Sequence, residues 1–333
     1  MRTPEVNPGT RLLPSPEEVR AAAARIAPAI RATPFYKSEG LSAYLGGDVW
    51  LKLESEQNTG SFKLRGATNA LSMLTGAERA RGVVTASAGN HGLGIASAAK
   101  ALGVRLTVFV PRTAPSIKRD RIAGFGATVD ASAANYDDAE ALARAHAERT
   151  GAVFVSAYAG MPILAGQGTV ALEIFEALPT LRTIVVPIGG VGLASGSAGL
   201  LRAEAPQVRI IGAQSERTNA MTIAMATGRP IEIPDLPTLA DGLSGQADAY
   251  MLAQGRAALD DIVAASEEDV ASAIAYLFIE EGFTVEGAGA VGVAALLSGR
   301  VEKLEFPVVV VVSGGNIDDS KHKAVLGGNY NSG

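Results

Sequence analysis

Two hydrophobic rhythms alternate along the chain. Continuous apolar runs rich in Val and Ile, bounded by turn residues, fall at 49–53, 82–85, 106–110, 153–156, 183–187, 208–212 and 307–312, and predict strands. Between them lie Ala-rich stretches with apolar positions at helical spacing, at 91–102, 137–149, 163–178 and 267–281. Another, at 15–29, precedes the first strand, and all five predict helices. Strand and helix in alternation imply right-handed crossovers and an α/β fold with mainly parallel sheets covered on both faces. Ligands of such sheets gather where loops leave the carboxyl ends of strands, so the informative residues are those just after the predicted strands. The chain has no internal repeat or long linker. The Pro-rich patch 229–237 reads as a surface connection, and the termini are expected to be loose.

Composition narrows the picture. A chain of 333 residues exceeds one ordinary core, so two lobes or one large α/β unit is expected. Apolar residues make up 47% and charged residues 19%, which argues against disorder. The net charge of −5, with no basic stripe, argues against a nucleic-acid partner. The first residues hold no apolar stretch of signal-peptide length and no membrane-spanning segment is visible, so a soluble cytoplasmic protein is expected. The absence of Cys removes disulfides, thiolate nucleophiles and Cys-based zinc sites; His91, His146 and His322 are too scattered for a His cluster.

Four segments carry candidate chemistry. In SFKLRGATNAL, a polar turn places Ser61 near an N-cap and Lys63 in the first helical turn, where the helix dipole disfavours a cation. Lys63 is therefore either a solvated surface residue or an amine of lowered pKa suited to a Schiff base. TASAGNHGLGIA follows the strand at 82–85; its small residues let backbone N–H groups converge on an anion such as a carboxylate, although a tight turn capped by Asn explains it as well. PIGGVGLASGSA is a phosphate cup of backbone amides or part of a dinucleotide fingerprint. The fingerprint requires an acidic residue at the end of the next strand, and Ala213 and Gln214 stand there instead. VVVVVSGGNIDD is a buried strand whose exit, with Asn316 and Asp318, also reads as a helix start.

Lys63 in SFKLRGA, Asn90 in SAGNHG, the cup GGVGL and the late SGGN, in this order, resemble the tryptophan-synthase-β-like family of pyridoxal phosphate enzymes, fold type II. The wording is similar to the threonine/serine dehydratases and serine racemases rather than to the cysteine synthases, which read S-x-K-D-R and T-S-G-N-T-G. The resemblance implies two doubly wound, mainly parallel sheet domains with the cofactor between them. A large domain would comprise 1–81 and 159–333, and a small inserted one 82–158. Lys63 would carry the cofactor as a Schiff base, Phe62 pack against its ring and Asn90 bond the ring hydroxyl. Gly189, Gly190, Val191, Gly192 and Leu193 would wrap the phosphate, Ser313 face the pyridine nitrogen, and Ser87, Ala88, Gly89, Asn90 and His91 hold the substrate carboxylate. Glu286 resembles a family Glu near the cofactor and equally reads as a first-turn helix carboxylate favoured by the dipole. The implied activity is elimination of water from a small L-3-hydroxy amino acid, with Lys63 taking the Cα proton, to give a 2-oxo acid and ammonia. A homodimer is implied, and no regulatory domain is expected beyond Asn316.

Three departures from the family wording sharpen these expectations. Val191 stands where many relatives carry Gly, so a positive φ there would be strained. Ala88 stands where serine racemases carry a second Ser, so racemisation is expected to be weak or absent. Gln214 and Ala220 stand where metal-binding relatives place acidic ligands, with Glu216 nearby, so no metal site is expected. Rival functions are a dehydratase for 3-hydroxyaspartate, phenylserine or a hydroxyectoine-derived diamino acid, a serine racemase, and a binding protein that kept the Gly cups without turnover.

Overall fold

The computed structural model describes residues 10–329, so the expected looseness of the termini lies largely outside the described residues. Ten strands occur among them: β1 (Phe35–Lys37), β2 (Val49–Leu53), β3 (Val83–Ala86), β4 (Leu106–Pro111), β5 (Thr128–Ala133), β6 (Val153–Phe154), β7 (Thr183–Pro187), β8 (Arg209–Ser215), β9 (Asp261–Ala265) and β10 (Val308–Val312). They form a six-stranded sheet in the order β1-β2-β10-β7-β8-β9 and a four-stranded sheet in the order β5-β4-β3-β6. Every pairing is parallel except that of β1 with β2. The four-stranded sheet takes all its strands from between β2 and β7, which is an insertion into the larger sheet.

Strand order explains where a ligand belongs. In the larger sheet the chain moves outward through β7, β8 and β9, then returns to lay β10 between β2 and β7. In the smaller sheet β3 lies between β4 and β6, so the chain reverses there too. Reversals of strand order open crevices at the carboxyl ends of the strands concerned. The buried strand β10, VVVVV, has every residue fully buried, as a central parallel strand covered on both faces requires.

The helix Lys63–Ser72 joins the two halves, packing against the helices Asn90–Leu102 and Met161–Ala177. Close approach fixes its start: a Cβ on Gly94 would lie 3.0 Å from the Leu64 nitrogen, so Gly lets the second helix touch the Lys63 backbone. On its far side Arg65, fully buried, donates to both oxygens of Glu54 at 2.8 Å and to Glu173 at 2.6 and 2.9 Å. Lys52 also reaches Glu173, at 2.6 Å. This paired network ties the Lys63 helix to the exit of β2 and to the helix Met161–Ala177.

Ser61 does not cap the helix. The N-cap is Phe62, without a side-chain cap, and Ser61 is fully buried in a bridge to Gly314. The patch 229–237 runs largely over the surface as expected, and it also brings Ile233, Pro234 and Asp235 to the rim of the cavity described next. Among the described residues no helix is long and apolar enough to cross a membrane.

Candidate active site

A cavity of about 980 Å³ opens between the carboxyl ends of the two sheets. It is lined by all the residues that the resemblance assigns to cofactor and substrate: Phe62 and Lys63, the turn from Ser87 through Ala88, Gly89 and Asn90 to His91, the cup from Gly189 to Leu193, Glu286 and Ser313. Segments far apart in sequence meet because each follows a strand, or opens a helix, at the crevice.

The Lys63 amine donates to the Ala157 carbonyl at 2.8 Å. Burial lowers its pKa to about 8, opposed by the charge of Glu286, so a useful fraction is neutral near pH 7. Its place as first residue of the helix acts in the same direction through the dipole. Burial pushes the Glu286 carboxyl up to about 7, while the hydrogen bond that Asn90 Nδ2 donates to it at 2.5 Å pulls it down.

His91 is buried and neutral: burial and the neighbouring Lys63 charge bring its pKa to about 3. Its tautomer follows from its partner. Thr85 Oγ1 commits its proton to the Val155 carbonyl at 2.7 Å, so it accepts from His91 Nε2–H at 3.1 Å. Nδ1 is then an acceptor, buried without a hydrogen-bond partner among the described residues.

The cup follows β7 directly. Val191 is the N-cap of the helix Gly192–Glu204, with φ 61 and ψ −5, and no side chain caps that helix. The expected strain at Val191 is therefore present; a β-branched residue in the left-handed region costs roughly 1–3 kcal/mol. Uncapped N–H groups and the positive end of the helix make this turn suited to a phosphate dianion. Two of its positions have no room for a side chain: a Cβ on Gly190 would strike the Tyr158 ring, and one on Gly192 would lie 2.9 Å from the Tyr158 carbonyl. Ser313, 4% exposed, reaches only the Ala288 carbonyl at 3.4 Å, leaving a neutral hydroxyl at the cavity wall.

These groups suit pyridoxal phosphate. The cavity offers an amine for its aldehyde, a backbone cup for its phosphate, the Phe62 ring for its face and a hydroxyl for its nitrogen. Sequence reasoning missed Tyr158, which covers the cup, the Ala157 carbonyl that holds Lys63, and the far wall formed by Tyr136, Glu140 and Arg144. Tyr158 and Ala157 follow the predicted strand 153–156, and the strand-exit rule pointed at them. The far wall belongs to polar, partly half-buried positions of the helix Tyr136–Thr150 and left no such signal.

Comparison with known proteins agrees with this geometry. The profile of pyridoxal-phosphate dependent enzymes matches residues 26–314. The L-threonine ammonia-lyase of Thermotoga maritima is 40% identical over 303 residues, 91% of this chain and 75% of that protein. The catabolic L-threonine dehydratase of Staphylococcus aureus strain N315 is 37% identical over 331 residues, 98% and 96% of the two chains. Among solved structures, maize serine racemase superposes with a TM-score of 0.88 at 33% identity, over 92% of this chain and 95% of that one. The processed form of threonine deaminase isoform 2 from Solanum lycopersicum gives 0.84 at 29% identity, over 97% and 93%. The chain belongs to the pyridoxal-phosphate-dependent enzymes of fold type II, and its cofactor is pyridoxal 5'-phosphate.

Proposed function

We propose that the protein is a dehydratase of the threonine/serine type: it eliminates water from a small L-3-hydroxy amino acid, and the enamine released takes up water again and hydrolyses to a 2-oxo acid and ammonia. The observation that carries this reading is Lys63: an amine with pKa lowered to about 8, held by Ala157 at the mouth of two anion-binding turns. Relatives named L-threonine ammonia-lyase and L-threonine dehydratase support the substrate class.

The bound cofactor supplies an electron-withdrawing ring that acidifies the substrate Cα–H bond. Lys63 first holds the cofactor, then, as a neutral amine, takes the Cα proton. The turn Ser87 to His91 holds the substrate carboxylate through backbone N–H groups at the start of the helix Asn90–Leu102, which lacks a side-chain cap. Phe62 would support the ring and the cup from Gly189 to Leu193 would anchor the phosphate. Ser313 would offer the pyridine nitrogen a neutral hydroxyl, which would favour elimination of a β-leaving group over a long-lived carbanion. The test is 2-oxo acid release from L-Thr, L-Ser, 3-hydroxyaspartate, phenylserine and the ectoine-derived diamino acid. L-Thr and L-Ser are expected to lead, and release from none of them contradicts the reading.

We further propose turnover without a divalent metal. Gln214, 1% exposed, uses its whole hydrogen-bonding capacity: Nε2 donates to the Ile188 and Thr218 carbonyls at 3.0 and 2.7 Å, and Oε1 accepts from Thr222 N and Oγ1, both at 2.9 Å. Glu216 turns to Arg300 at 3.2 Å. EDTA is expected to leave the rate unchanged, and a several-fold loss restored by Mg²⁺ contradicts this. The reading includes domain limits of 1–81 with 159–333 and 82–158, a homodimer and a cytoplasmic location. Sedimentation tests the dimer and limited proteolysis the limits.

A further inference from the structure

Three element ends meet on one wall of the cavity: Asn90 at the start of its helix, the loop after β10 that carries Asn316, and Glu286 at the start of the helix Gly287–Leu297. Their side chains form one hydrogen-bonded line. The guanidinium of Arg121, exposed on the helix Ser116–Ala123, donates to Asn316 Oδ1 at 2.9 Å. Asn316 Nδ2 donates to the Thr59 carbonyl at 2.9 Å and to Asn90 Oδ1 at 2.7 Å. Asn90 Nδ2 then donates to Glu286 Oε1.

The direction of this line is fixed by its ends. A guanidinium can only donate and a peptide carbonyl can only accept, so Arg121 and the Thr59 carbonyl leave the Asn316 carboxamide one orientation. Its second N–H then meets Asn90 Oδ1, and Asn90 turns its NH₂ group toward Glu286 and the cavity. Packing leaves no slack: a Cβ on Gly60 would lie 2.7 Å from Asn316 Oδ1, and one on Gly314 would strike Glu286 and lie 3.0 Å from Asn90 Nδ2.

We propose that Asn316 and Arg121 are positioning residues that fix Asn90 as a one-way hydrogen-bond donor to the ring oxygen of the cofactor. This rests on the reading that pyridoxal phosphate lies beside Asn90. A donated hydrogen bond favours the ionised ring oxygen, whereas an accepted one favours the protonated form. The line therefore sets the balance between two proton forms of the bound cofactor, which absorb in different bands. It also makes that balance depend on a surface guanidinium outside the cavity.

The test titrates the protein with pyridoxal phosphate at fixed pH and reads the dissociation constant and the ratio of long- to short-wavelength bands. The variants are Asn90→Ala, Asn316→Asp, Arg121→Met and the double Asn90→Ala/Asn316→Asp. Asn316→Asp replaces the donating amide by a carboxylate that only accepts, and is expected to lower the band ratio and weaken binding about two- to tenfold, the worth of one net hydrogen bond. Arg121→Met, at an exposed position that leaves folding intact, is expected to shift the ratio in the same direction by less. In the Asn90→Ala background Asn316→Asp is expected to change neither readout further. An unchanged ratio in Arg121→Met and in folded Asn316→Asp overturns the proposal, as does an Asn316→Asp effect of full size without the Asn90 amide. No band at all in the wild type overturns the cofactor reading instead.

Discussion

The cavity is built from two strand-to-helix turns that do similar work by different means. The turn after β7, from Gly189 to Leu193, is a backbone device: Gly190 and Gly192 lie against Tyr158, Val191 adopts the left-handed region, and no side chain caps the helix. The turn after β3, from Ser87 to His91, also presents backbone N–H groups, but side chains lock its shape. There Ser87 Oγ accepts from Gly89 N at 3.2 Å, His91 is locked by Thr85, and Asn90 is held between Asn316 and Glu286. A backbone cup fails when something fills its space. A side-chain turn fails when one donor or acceptor is exchanged.

Filling space is expected to give the larger effect. Gly190→Ala puts a Cβ into the Tyr158 ring, and overpacking of this kind costs about 1–3 kcal/mol, so affinity for pyridoxal phosphate is expected to fall about five- to 150-fold by spectroscopic titration. Unchanged affinity would show that Tyr158 swings clear and that the cup is not rigid. The second turn is probed by chemistry instead of volume. Ala88 has no exchangeable proton, so L-Ser is expected to yield pyruvate with D-Ser far below it, and Ala88→Ser is expected to raise the D-Ser fraction. Substantial D-Ser from the wild type would mean that another group protonates that face.

Lys63 lies between the two turns, and its titration is visible in cofactor capture. The amine reacts when neutral, that is, above its pKa; with a pKa of about 8, capture by the apoprotein is expected to rise from pH 6, reach half its limit near pH 8 and level off above it. An unshifted lysine would still be gaining rate at pH 10. The smallest effect is expected at Val191→Gly. Relief of about 1–3 kcal/mol of strain is offset by the loss of a buried side chain worth about 1.5–3 kcal/mol, so the midpoint of thermal unfolding is expected to move by only a few degrees.

What the sequence disclosed follows from burial. Central strands such as β7 and β10 are apolar on both faces and stand out as continuous runs. The strands that the predicted runs do not include, β1, β5 and β9, are sheet edges, although β6, also an edge, falls within the run 153–156; TVDASA in β5 is largely half-buried or exposed, and its alternation with polar residues hides it. The same rule applies within the site. Lys63, Asn90, the Gly cup and Ser313 follow strands or open helices, and their order along the chain was enough to assemble them. The SGGN loop was visible, but Asn316 read as a helix-capping residue, whereas its side chain turns to Asn90 and Thr59. That role depends on Arg121, 195 residues away, and no local pattern encodes such a distance.

The central claim is that Lys63 is the cofactor's attachment point, and borohydride reduction followed by peptide mapping tests it most directly. Lys52 is the informative competitor, because it too is buried, yet it is paired with Glu173 at 2.6 Å and bonded to the Thr33 carbonyl at 3.0 Å. Lys63 has no carboxylate within ion-pairing distance among the described residues, only the Ala157 carbonyl. The pyridoxyl label is expected on the peptide containing Lys63 and nowhere else in stoichiometric amount. A stoichiometric label on Lys52, or on any other lysine, contradicts the account.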